Sequence, residues 1–226
     1  MKTFLLYFYI FFIYSIIGWV LESLYVSLQQ KKIVNRGFLI GPYCPIYGFG
    51  ALGMILYLEQ YKDNVITVFL LAIFICSILE YMTSYLMEKI FKARWWDYSD
   101  KKFNLNGRIC GQNALLFGIG GVIIVYFAHP ILNDILLSLD KKVLLIISII
   151  SLIIYLTDTI VSLNIINKLK YTITSIDTKK DSSQEFSKLV KETLLKGNKI
   201  LQGRLFSAFP NIDLKALLDI KSFLKK

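Results

Sequence analysis

Three acids stand inside strongly apolar stretches of this chain: Glu22 in VLESLYVSL, Glu80 in ILEYMTSYL and Asp158 in LTDTIVSL. A carboxylate at such a position costs about 2.5–3.5 kcal/mol on insertion scales, so it must face the protein interior and be paired, hydrated or protonated. Partners of the right kind follow in the chain, Asn35 and Arg36 after Glu22, and Asn106 and Arg108 after Glu80. Ser23, Ser27, Thr83, Ser84, Thr157, Thr159 and Ser162 add hydroxyls nearby. Such a set can bind an ion or a small polar substrate within the membrane. It can equally be structural, since a buried Glu–Arg pair can fix helix register. Glu88 reads as an interfacial residue.

The elements that carry these acids are membrane helices. The chain has 226 residues, of which 55% are hydrophobic and only 19% charged, against about 25% charged in soluble domains. Its apolar runs are long enough to cross a hydrocarbon core of about 30 Å as helices. The expectation is an all-α, polytopic membrane bundle with five spans near 4–28, 40–58, 65–90, 112–128 and 143–166. The apolar piece 131–139 reads as a lip of the fourth span or a re-entrant segment. The first run is too long for a signal peptide and lacks an A-x-A-like site, so it reads as a retained helix. Residues 1–166 form the membrane part. Residues 167–226 are expected to be a cytoplasmic tail of short amphipathic helices, with Phe186, Leu189, Val190 and Leu194 on one face.

Charge placement gives an orientation. Lys31, Lys32 and Arg36 lie between spans one and two, and Lys89, Lys92, Arg94, Lys101, Lys102 and Arg108 between spans three and four. Lys2, Lys62, Lys141 and Lys142 lie on the other side. The larger set marks the cytoplasm, so the N-terminus is outside and the C-terminus inside. The net charge of +10 then faces anionic lipid and not nucleic acid. Trp95, Trp96, Asp97 and Tyr98 fall at the cytoplasmic interface, as an aromatic belt or a surface for docking a partner. The three cysteines, Cys44, Cys76 and Cys110, are far apart and have no histidine near them. They read as packing residues, and no metal site or cofactor is expected. The single histidine, His129, precedes Pro130 at a helix end, which suits a terminal or turn role.

An internal repeat orders the same residues. GPYCPIYGFG, 41–50, aligns with GQNALLFGIG, 111–120, with glycines at three common offsets. Upstream stand Asn35-Arg36-Gly37 and Asn106-Gly107-Arg108, and further upstream Glu22 and Glu80. The unit is an acid-bearing helix, a basic loop and a glycine-rich returning helix, present twice in parallel orientation and then as a half with Asp158. The second copy has a longer loop, which carries the Trp-Trp-Asp-Tyr segment. Pro42 and Pro45 suit a helix start. Gly41, Gly48, Gly50, Gly53, Gly111, Gly118, Gly120 and Gly121 read as sites of close helix approach. Gly48-Phe-Gly50-Ala-Leu-Gly53 matches G-x-G-x-x-G, but it lies inside a span and lacks the strand that a dinucleotide fingerprint requires. All three acids lie some six to ten residues from the cytoplasmic ends of their helices, about 9–15 Å deep at 1.5 Å per residue. They are expected to share one layer.

No Walker motif, H-E-x-x-H or G-x-S-x-G occurs, so no residue is assigned to catalysis. The ordered motifs Gly18-Trp19-x-x-Glu22, Asn35-Arg36-Gly37-Phe38-Leu39-x-Gly41-Pro42-x-Cys44-Pro45-x-Tyr47-Gly48, Glu80-Tyr81, Trp95-Trp96-Asp97-Tyr98 and Asn106-x-x-x-Cys110 resemble a bacterial membrane family. It is known as Putative ABC-transporter type IV, and the resemblance is strongest over 14–132. It implies an inner-membrane permease, paired with itself or with a separate ATPase subunit that would touch the loops around 29–40 and 91–111. The chain differs from ordinary ABC permeases, which have six spans and an importer-type coupling motif. Two other readings stand beside transport: a membrane enzyme acting on lipid headgroups at the cytoplasmic face, and a non-catalytic scaffold that docks through its tail.

Overall fold

The computed structural model describes residues 2–31, 33–37, 39–91 and 96–175. The expected tail helices, along with Lys92, Arg94 and Trp95, lie outside them. All the regular elements among the described residues are helices, and the one β feature there is an isolated bridge between Leu105 and Ile109. The helices are α1 (Lys2–Gln30), α2 (Pro45–Leu58), α3 (Val65–Phe91), α4 (Gly111–Ile123), α5 (His129–Ser138) and α6 (Lys141–Ser175). A 3-10 turn, Glu59–Tyr61, ends α2, and a π-helical turn, Ile124–Ala128, joins α4 to α5.

Among the described residues, four helical stretches are long and apolar enough to cross a membrane: Phe4–Leu28, Val65–Ile90, Gly111–Ser138 and Lys141–Asn164. The third of these corrects the sequence reading. The helix does not stop at Ala128: it runs on through the π-helical turn to Ser138, so the apolar piece extends the fourth span as its lip and is not re-entrant. Pro130 lacks an N–H and cannot close a regular α-turn. The π-helical turn directly before it absorbs that break without a bend into a loop.

Helix α2 departs from expectation in the other direction. It begins at Pro45, not Ile40, and its 14 residues reach about 21 Å at 1.5 Å per residue. That falls short of a full crossing. Pro45 stands at the first helical position after the extended Cys44, where a missing N–H costs nothing.

Short as it is, α2 is the centre of packing. On one side Ala51 and Ile55 meet Ile10 and Tyr14 of α1 and Leu136 of α5. On the other, Met54 and Leu58 meet Val68, Ala72 and Cys76 of α3 and Val125 of the π turn. The outer faces of α3, α4 and α6 carry exposed Phe74, Ile78, Leu115, Ile119, Ile149 and Ile153, the surface a lipid-facing helix presents. A ring cluster of Phe11, Phe12, Tyr43 and Tyr155 ties α6 to α1 and to the chain before α2, with centroids 5.3–5.8 Å apart.

Candidate functional site

The chain between α1 and α2 is not a surface loop. The Val34 N–H donates to Ser27 Oγ at 2.9 Å, and the Arg36 N–H to Ser23 Oγ at 3.2 Å. The Cys44 N–H then donates to the Ser15 carbonyl at 2.9 Å. From Ser27 to Ser15 is about 18 Å along a helix at 1.5 Å per residue. The non-helical chain therefore runs down the side of α1 to its middle before α2 starts. Irregular backbone at that depth survives only where the protein satisfies its polar groups.

Asp158 of α6 supplies that satisfaction. Its carboxylate accepts the backbone N–H groups of Ile40 at 3.1 Å and Gly41 at 2.7 Å, the Tyr43 hydroxyl at 2.5 Å and the Ser162 hydroxyl at 2.9 Å. Asp158 is thus tied to the non-helical segment at its deep end.

Glu22 is held by the same segment and by the first turn of α2. Arg36 donates to its Oε1 through Nε at 3.2 Å and Nη2 at 3.1 Å. The Tyr47 hydroxyl donates to Oε2 at 2.5 Å. Trp19, one turn before Glu22, donates to the Asn35 side-chain oxygen at 2.7 Å, so Asn35 faces Trp19 and accepts. The Tyr47 ring lies against Gly18, where a Cβ would overlap it.

Glu80 is treated differently. It is buried, 7% exposed. Its Oε1 accepts the Tyr98 hydroxyl and the Asn113 amide, both at 3.3 Å, while Oε2 is buried with no hydrogen-bond partner. Arg108 does not pair with it. The guanidinium turns to Glu88, Nη2 to Oε2 at 2.8 Å, and to Ser84 Oγ at 3.2 Å, and it lies over the Tyr81 and Tyr85 rings. Glu88 is therefore the ion-pair partner in the second hairpin. Asn106 donates to the Tyr81 hydroxyl at 3.0 Å and not to an acid.

The connection before α4 is a compact loop. Tyr98 N–H donates to Gly107 O, Leu105 N–H to Ile109 O and Gly111 N–H to Lys102 O. Asn106 and Gly107 take positive φ, 54° and 66°, to turn the chain back. Asp97 accepts from the Ser99 amide and hydroxyl, and Trp96 Nε1 donates to Arg108 O. The loop thus directs Tyr98 inward onto Glu80. Burial pushes the Tyr98 phenol up, and the neighbouring charges of Glu80 and Glu22 push the same way, while Asn113 pulls it down. Both carboxylates are therefore felt at one phenol. An open hollow of about 600 Å³ lies beside this loop, lined by Lys101, Lys102, Phe103 and Gln112 among others, and none of the three acids lines it.

The glycines sort into kinds. A Cβ at Gly48 would meet the Phe11 ring and carbonyl and Ser15 Oγ. One at Gly118 would meet the Phe69 ring, and one at Gly121 would meet Ala72 and Met54. Gly50 and Gly53 have room for ordinary contact, and Gly120 has open space. Gly41 lies in the non-helical chain against Tyr43, and Gly111 opens α4 beside Phe103. Gly48 and Gly118 share an offset in the aligned segments. The rings they meet, Phe11 and Phe69, each precede an acid, Glu22 and Glu80, by eleven positions.

Tyr43, Tyr47 and Asn113 were not among the residues singled out in the sequence as partners for the acids. Each lies in the glycine-rich segments 41–50 and 111–120, where only the fold shows which polar side chain reaches an acid.

The family model for Putative ABC-transporter type IV matches residues 9–163. The chain belongs to this family. The matched segment contains Glu22, Glu80 and Asp158, and the apolar helices fit a membrane transport component. No curated protein and no solved structure matches the chain at a significant level. The type IV chain therefore rests on its own geometry for everything finer.

Proposed function

We propose that this chain is the permease component of a bacterial inner-membrane transporter, with a polar intramembrane site that opens toward the cytoplasm. The observation that carries the reading is the non-helical chain beside α1, anchored at its deep end by Asp158 and followed by the short helix α2. Helices broken near mid-membrane are how transporters place backbone and side-chain polar groups at a binding site. Glu22 with Arg36 and Tyr47 stands on one side of that site. Glu80 with Tyr98 and Asn113 stands on the other. The common eleven-residue relation of Phe11 to Glu22 and Phe69 to Glu80 supports the hairpin repeat. In this reading the non-helical segment and α2 together make a second crossing, for five in all. The loop that carries Tyr98 covers Glu80 and must shift for the site to open.

The cytoplasmic loops would touch a separate ATPase subunit or a second copy of the chain. Purification in mild detergent, with the co-purifying proteins identified, should recover an ATPase subunit. In lipid nanodiscs, adding the chain should stimulate that subunit's hydrolysis. Glu22→Gln combined with Glu80→Gln should keep membrane level and partner while losing stimulation. Recovery of no ATPase, or full stimulation by the double variant, would end this reading. The headgroup-enzyme reading needs carboxylates arranged to hold a divalent ion. Among the described residues, no group of three or more His, Cys, Asp or Glu side chains has that arrangement.

A further inference from the structure

We infer that Glu80 is a proton-binding site, a carboxyl that takes up a proton from water at the cytoplasmic end by way of the Tyr98 hydroxyl on its Oε1 and returns it there. This deepens the transport reading above and rests on it for its role. The step is a simple protonation, in which carboxylate and proton give a neutral carboxylic acid.

Three observations carry it. The first is that the two oxygens of Glu80 are unequal. Oε1 has two donors, Tyr98 and Asn113, whereas Oε2 is buried with none. An ionised oxygen in that state is costly in an apolar interior, and a proton on it removes the charge.

The second is that no cation among the described residues faces it. Among the described residues the groups around it are Tyr98 from the loop with Cys110 beside it, Asn113 from α4, Glu22 from α1 and Cys76 on its own helix. The two arginines that could have served are used elsewhere, Arg36 on Glu22 and Arg108 on Glu88 and Ser84. Glu22 and Glu80 thus sit in one neighbourhood with opposite provision, one with a guanidinium and one without.

The third is space. Oε2 has essentially no accessible surface. A metal ion or a partly hydrated cation needs room and several ligands, and a proton needs neither. Tyr98 stands between this carboxyl and the loop at the end of α3. Its hydroxyl is a donor and acceptor, so it can pass a proton between loop-side water and the acid.

Infrared difference spectra of the chain in lipid nanodiscs, between mildly alkaline and mildly acidic buffer, test this directly. A protonated-carboxyl C=O band should appear on acidification, vanish in Glu80→Gln and persist in Glu22→Gln. Glu80→Asp should move the band to another frequency, which settles the assignment even if Glu80→Gln does not fold. No such band in the wild type, or a band untouched in both Glu80 variants, would overturn the inference. The measurement needs neither substrate nor ATPase. A missing band with an intact ATPase response sinks the proton site alone, and a clear band with no ATPase partner sinks the transport reading alone.

Discussion

Each of the three acids within the apolar helices is surrounded by a different chemistry. Glu22 has a guanidinium, Asp158 has backbone N–H groups and hydroxyls, and Glu80 has two neutral donors on one oxygen only. The consequences of removing them should differ accordingly. Asp158→Ala leaves the N–H groups of Ile40 and Gly41 without an acceptor at membrane depth, where no water replaces it. Each bond to a charged acceptor is worth about 1.5–3 kcal/mol, so this variant should lose about 3 kcal/mol or more. Glu80→Gln keeps the shape and can still accept from Tyr98, so its loss should be much smaller. Thermal unfolding in one detergent, read on both variants, checks the order. Equal midpoints would mean that Asp158 does not hold the segment before α2.

Elements meet in this bundle through glycine, but only at some of the glycines. At Gly48 the neighbours of an added Cβ include the Phe11 carbonyl, which is backbone and cannot swing aside. Gly48→Ala should therefore force α1 and α2 apart, at about 1–3 kcal/mol for overpacking. Gly120 faces open space, and alanine there should be neutral or gain up to about 1 kcal/mol from helix propensity. The pair of melting temperatures is the measurement, and equal shifts would remove close approach as the reason for the glycines. The comparison also shows what the sequence made legible. The four long helices announced themselves by length and apolar content, because a membrane leaves the backbone few other choices. The start of α2 was marked by two prolines, yet the pattern alone could not choose between Ile40 and Pro45. That choice depends on Asp158, a residue more than a hundred positions away. Arg108 was matched to Glu80 because it follows that helix, but Glu88 lies two turns further along the same helix and nearer the loop. Sequence order identified the charges, and only packing could pair them.

At the scale of the whole molecule, helix length and charge placement together determine how the chain is threaded through the bilayer. Four helices are long enough to cross unaided, and an even count would put both ends of the membrane part on one side. Our reading adds a crossing made of the non-helical segment and α2, which puts the ends on opposite sides. Two features favour it. The turn 62–64 between α2 and α3 is too short to cross back by itself, and Leu58 and Val68 on either side of it are fully buried against one core. Within residues 1–166 the basic residues also fall mostly in the loops before α2 and before α4, which an odd count places together on the cytoplasmic side. Single cysteines placed at Lys31, Asn64, Lys102 and Asp140 would read the arrangement with a membrane-impermeant maleimide on intact and opened cells. The native Cys44, Cys76 and Cys110 are buried and outside any disulfide, so they should first be replaced by alanine. The expected result is labelling at 64 and 140 in intact cells, and at 31 and 102 only after opening. If 31 and 64 label from the same side, the segment and α2 dip in and return, and the site around Asp158 would then belong to a re-entrant hairpin and not to a crossing.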